Sequence, residues 1–221
     1  NSCDALKSIS LSSTITEIEG ITLGNLPNLK AIYVSKQNKE LKSVDGVLYN
    51  NDSTTLIHYP AKKEGEVYII PNTVTIIGGQ AFRFCRNLKS VTIPDTVTEI
   101  RVQAFSGCSN LTSINIPNKV TGIGTSAFEG CTNLNSSITI PGTVTYIRQG
   151  AFLNCEKLES IVVDPSSITS LPGDLFKGCT SLKTIIVDQV NTAECPSPIA
   201  SNAPWGAPNV TKDQVQWKIV E

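Results

Sequence analysis

A stretch of nineteen residues, IPDTVTEIRVQAFSGCSNL at 93–111, returns at 116–134 as IPNKVTGIGTSAFEGCTNL. Phe82, Phe105, Phe128, Phe152 and Phe176 fall at steps of 23, 23, 24 and 24 residues. Cys85, Cys108, Cys131, Cys155 and Cys179 keep the same steps, as do Leu88, Leu111, Leu134, Leu158 and Leu182. Three columns in phase define one unit, N-L-x-x-[IV]-x-[IV]-P-x-x-V-T-x-I-x-x-x-A-F-x-x-C. A fixed period in this range is the mark of a stacked array. One unit is too short to bury its own apolar face, so each must lie on its neighbours and share a continuous core.

The local pattern says how the units stack. VTI, INI, ITI, IVV and IIV alternate, so that two apolar side chains point inward and the residue between them points out. Pro then ends the strand, because it has no N–H to give to a ladder. Val-Thr-x-Ile predicts a second extended stretch, and Ala-Phe a short helical turn. The two longer steps come from the extra Ser in NSSITI and from the region SSITSLPGDLF. In the first third the pattern is worn: CDALKSISL and LPNLKAIYV keep the register, with Leu26 in the cysteine slot. One unit is enlarged by VLYNNDSTTLIHY, two strand-like runs about an Asn/Asp/Ser turn, which predicts a hairpin. The fold expected is a right-handed leucine-rich-repeat solenoid over 1–190 with a hairpin insert at about 38–66. Residues 191–221 are expected to cap it as part of the same domain.

The copies of IPxxVTxIxxxAFxxCxNL in 70–182, with DGVLYNNDSTTLIHYP at 45–60, resemble the BspA-type leucine-rich repeat family of bacterial and protozoan surface proteins. The resemblance covers roughly 1–190. It implies a parallel sheet on the concave side, an extracellular or cell-surface location, and adhesion to host matrix or surface proteins, other bacterial surface proteins or glycans. The unit containing Cys3 lacks its Ala-Phe half, as expected of an array cut or processed there. There is no Met, and NSCDALKSIS has neither the basic end nor the apolar stretch of a signal peptide, so the chain reads as a mature or excised segment.

Composition narrows the chemistry. The chain has 221 residues, 40% hydrophobic and 17% charged, with a formal net charge of −1 and no basic block. That argues against nucleic acid or an anionic membrane surface as a partner. No apolar run approaches the ~20 residues needed to span a bilayer, so no membrane insertion by this segment is expected. Cys3 and the five cysteines of the column share one repeat position, where packing as small buried hydrophobes is favoured over a disulfide ladder or a metal string. Cys195 stands outside the register and is the expected reactive thiol. His58, the single histidine, sits in the insert and is expected as a satisfied or exposed strand residue rather than a general base. Asp95, Asp164 and Asp188 at strand exits suit turns better than calcium. No nucleophile–base pair and no phosphate-cradling loop appears, so neither an enzyme nor a cofactor is expected.

A partner would then use the outward residues of the stacked strands. One column reads Ser10, Tyr33, Thr92, Asn115, Thr139, Val162 and Ile186. Most of this is small and polar, which a solvated sheet favours on its own account. Two places are less bland. Tyr33, with Tyr49 and Tyr59 of the insert, supplies aromatic rings of the kind enriched at interfaces, unless the insert uses them as its own core. Val162 and Ile186 make the far end apolar, unless the tail folds over it. Trp205 and Trp217 are expected as packing pieces of the cap. A binding module is the expected function, against the alternative of a structural spacer with no ligand of its own.

Overall fold

In the computed structural model the chain forms a parallel β-solenoid. Residues 3, 5–18, 20–164, 166–168, 170–189, 204–210 and 215–219 are described. Each coil contributes one strand to a first sheet, and the insert and the middle coils also contribute to a second. The strands are numbered in chain order. The first sheet has three segments: β1 (Ser8–Leu11) with β2 (Ala31–Val34); β6 (Val67–Ile69), β8 (Ser90–Thr92) and β10 (Ser113–Ile114); then β12 (Ile138–Ile140), β14 (Ser160–Val163), β15 (Thr184–Gln189) and β16 (Val215–Ile219). Its pairings are all parallel, and Ser8↔Ala31, Ser90↔Ser113 and Ser160↔Thr184 hold the predicted register. The break before β12 falls at the extra serine.

The second sheet runs β13 (Tyr146–Ile147), β11 (Gly122–Ile123), β9 (Glu99–Ile100), β7 (Ile76–Ile77), β5 (Thr55–His58), β4 (Val47–Asn50) and β3 (Leu41–Val44). Its coil strands are parallel, while β3, β4 and β5 form an antiparallel meander. Each Pro between the sheets accepts at its carbonyl the amide of the following Val, as in Val97 N to Pro94 O at 3.1 Å.

Ala-Phe lies in tight turns rather than a helical turn; the one α-helix among the described residues is α1 (Gly20–Leu23). These turns need left-handed backbone at two places, before Ala (Gln80, Gln103, Ser126, Gly150) and before Cys (Phe84, Gly107, Gly130, Asn154, Gly178). Successive coils are tied by Phe amides, such as Phe105 N to Ala127 O at 2.7 Å. The phenyl rings stack at centroid spacings of 4.9, 5.3, 5.2 and 6.1 Å from Phe82 to Phe176.

The cysteine column is buried, and its thiols donate to the Phe carbonyl one coil earlier: Cys108 Sγ to Phe82 O at 2.9 Å, Cys179 Sγ to Phe152 O at 3.1 Å. Cys3 departs from this expectation and is exposed. Cys195 lies outside the described residues.

The tail re-enters the register that the sequence appeared to abandon. Trp205 O takes the amide of Phe176 at 2.8 Å, the place an Ala carbonyl holds in earlier coils. Ala207 and Val210, both buried, fall in the Cys and Leu slots, and Asn209 donates to Thr180 O as Asn110 does to Arg86 O. Strand β16 then pairs with β15. Trp217 lies in β16, its side chain outside the description.

The insert divides the core. Val47 and Tyr49 on one face of β4 join the long cluster containing the Phe, Cys and Leu columns. Leu48 on the other joins a separate cluster with Leu11, Leu23, Leu29, Ile32 and Leu41. A strand buried on both faces is apolar throughout, which is why VLY shows no alternation.

Candidate partner-binding surface

The insert changes what the first sheet shows to solvent. Its β3–β4 turn sits beside β2: Ile32 N donates to Gly46 O at 2.9 Å, and Ser43 Oγ to Ile32 O at 2.5 Å. Gly46 adopts φ +76°, and a Cβ there would lie 3.1 Å from that of Ala31, so the approach requires glycine. On the other side Lys63 Nζ holds Asp45 Oδ2 at 2.8 Å, and Tyr49 from β4 shares a 2.5 Å hydrogen bond with the hydroxyl of Tyr68 in β6. The turn thus lies between β2 and β6. It borders a depression of about 350 Å³ lined by Tyr33, Val34, Ser43, Asp45 and Lys63.

Outward side chains here are large and apolar. Tyr33 is 57% exposed, Val67 62% and Ile69 70%, with Val44 of β3 also exposed. Register places Tyr33 opposite Ser10, Val67 opposite Ser90 and Ile69 opposite Thr92, so these residues occupy positions that carry Ser and Thr in the middle coils. Sequence reasoning missed Val67 and Ile69, although IP at 70–71 matches IP at 93–94 and fixes their outward phase.

Tyr49 and Tyr59 do not belong to this surface. They are 1% and 2% exposed. Tyr59 begins the ring column: it lies 23 residues before Phe82, stacks on it at 5.2 Å, and its carbonyl accepts from Cys85 Sγ. Tyr49 is held inside by its bond to Tyr68, and burial pushes both phenols up. Val162 and Ile186 pair with each other across β14 and β15 and are half-buried, and Ile186 is flanked by Gln216 of β16. The structure therefore separates the five sequence candidates into one exposed ring, two core rings and a half-buried pair at the other end.

His58 occupies the slot that Ala holds in later coils. It is buried rather than exposed, with the Gln80 backbone near its ring but no well-formed hydrogen bond at either nitrogen among the described residues. Burial pushes its imidazole down to about 4, and a base needs reach to a substrate proton that this position lacks. Among the described residues no group of three or more His, Cys, Asp or Glu gathers to hold a metal, and no helix is long and apolar enough to cross a membrane.

The sequence model of the BspA type leucine rich repeat region matches residues 1–55 and 61–183, in six copies. The chain belongs to this family. Among solved structures it is similar to a leucine-rich cell surface protein of Faecalibacterium prausnitzii, at 34% identity and TM-score 0.76 over 83% of this chain and 48% of that one. A leucine-rich repeat protein of Eubacterium ventriosum matches at 27% identity and TM-score 0.72 over 98% of this chain and 60% of that one. The pneumococcal vaccine antigen PcpA, at 24% identity and TM-score 0.81 over 98% of this chain and 56% of that one, shares the fold. The chain thus spans about half the length of these proteins. No curated protein matches it.

Proposed function

We propose that this segment is an extracellular or cell-surface binding module that docks a protein partner on its first sheet, beside the insert, by non-covalent contact alone. The observation that carries this is the exposure of Tyr33, Val67 and Ile69 at positions where the middle coils present Ser and Thr. Apolar residues gathered on a sheet face, next to a depression with a charged rim, are the make-up of an interface core. Membership of a family with cell-surface members supports adhesion to a host matrix protein or another surface protein as the role. Titration of the purified chain with fibrinogen, fibronectin and other matrix proteins tests it. Saturable binding that weakens at least about tenfold in a folded Tyr33→Asp/Ile69→Asp variant is expected. No saturable partner, or binding indifferent to both changes, would favour a spacer instead.

A further inference from the structure

The turn before each column cysteine requires a left-handed residue, and four coils meet that need with Gly107, Gly130, Asn154 and Gly178. The remaining coil places Phe84 there at φ 58°, a conformation that bulky side chains rarely adopt and that tends to persist at functional positions. Its ring lies on Gly107, where an added Cβ would come within 2.3 Å of Phe84 Cδ1. Two guanidinium groups flank the ring, Arg83 Cζ at 4.5 Å and Arg86 Cζ at 5.4 Å from its centroid. Arg83 is fixed by Nη1 donating to Asn25 Oδ1 at 2.8 Å, while its Nε is buried with no acceptor among the described residues. No carboxylate among those residues pairs with either arginine.

Charge extends the feature. Asn87, next to Arg86 in the chain, lines a depression of about 550 Å³ with Lys7, Lys30, Lys62 and Glu64. Glu64 pairs with Lys30 at 3.8 Å, and Arg83 and Arg86 add two cations on the adjoining turn, in a chain whose net charge is −1. The cations come from successive coils, so the positive charge runs along the stacking direction rather than collecting at a point.

We propose that Arg83, Phe84 and Arg86, with the adjoining lysine-lined depression, form a second binding site, for a sulfated or carboxylated polysaccharide. Guanidinium groups stiffened by an aromatic face suit oxyanions. Cations spread over several coils suit a ligand with charges spaced along an extended chain. Of the residues lining the depression only Ala5 is apolar. With no aromatic or branched side chain to receive a peptide's apolar residues, it suits a hydroxyl-rich polymer better than an acidic peptide. The arginines lie on the turns, while Lys30 lines both this depression and the one beside Tyr33, so the two sites adjoin and are told apart by separate variants.

Its test is a titration of the purified chain with a size-defined heparin oligosaccharide, beside neutral dextran and poly-glutamate. The variants are Phe84→Gly, Arg86→Gln, the uncharged Tyr33→Ala and, as a remote charge control, Lys157→Gln. Glycine at 84 copies the neighbouring coils, so the fold and its thermal midpoint are expected to survive. Saturable binding of the sulfated oligosaccharide, with dextran silent, is expected to weaken at least about fivefold in F84G and R86Q. K157Q and Y33A are expected to leave it unchanged. Absence of saturable binding, an equal loss in K157Q, or poly-glutamate bound as tightly would overturn the proposal.

Discussion

Phe128 stacks between Phe105 and Phe152 with its ring wholly buried, and its carbonyl accepts from Cys155 Sγ at 3.2 Å. Truncation to Ala opens a void that two neighbouring rings cannot fill together, so Phe128→Ala is expected to cost about 3–5 kcal/mol in urea unfolding. The thiols beside the rings should be silent because all five are buried. Burial also pushes Cys85, Cys131 and Cys155 well above the usual thiol range, while a hydrogen bond from Cys155 holds Cys179 down. A thiol reagent on the folded protein is expected to reach exposed Cys3 and to meet the buried five only on unfolding. His58 makes stability fall with acid. Its imidazole drops from 6.5 to about 4 on folding, so the unfolded chain binds the proton first. The contribution is full above pH 6.5 and is lost as pH falls towards 4, by roughly 3 kcal/mol in all. His58→Ala restores the residue used by later coils, and is expected to flatten that part of the pH–stability curve relative to the native chain.

At the scale of elements, the insert is a partition. Strand β4 feeds two cores, and Leu48 is its main contact with the N-terminal one. Leu48→Ala is expected to cost about 2–5 kcal/mol. By hydrogen exchange it should speed Ser8–Val34 while β8 to β14 keep their protection, since the two clusters are distinct. Equal loss of protection in all coils would show that the partition carries no boundary. The same strand shows where sequence ran short. Alternation tells inside from outside only when one face is wet, and VLY is dry on both faces, so Tyr49 could not be placed. Tyr59 was placeable: its spacing of 23 residues from Phe82 marks His58-Tyr59 as an altered Ala-Phe. Its aromatic neighbours in the insert drew it instead towards the surface reading.

For the whole molecule, period and columns were enough to derive a stacked solenoid, because each coil repeats one solution to one packing problem. The tail escaped that logic. Between Gln189 and Pro204 the period is interrupted, so the return of Ala207, Asn209 and Val210 to their slots shows only in the hydrogen bonds to Thr180 and Phe176. The same regularity explains where a partner fits: the middle coils differ little from one another, while Tyr33, Val67 and Ile69 beside the insert stand at positions that are small and polar in those coils. The half-buried pair Val162 and Ile186 lies at the other end, so the two locations can be told apart. The decisive measurement is the affinity of one saturable protein partner for the native chain, Ile69→Asp and Ile186→Asp, each checked for its native melting point. A loss of at least about tenfold confined to I69D is the result expected of docking beside the insert. Unchanged binding in I69D, or a loss confined to I186D, would contradict it.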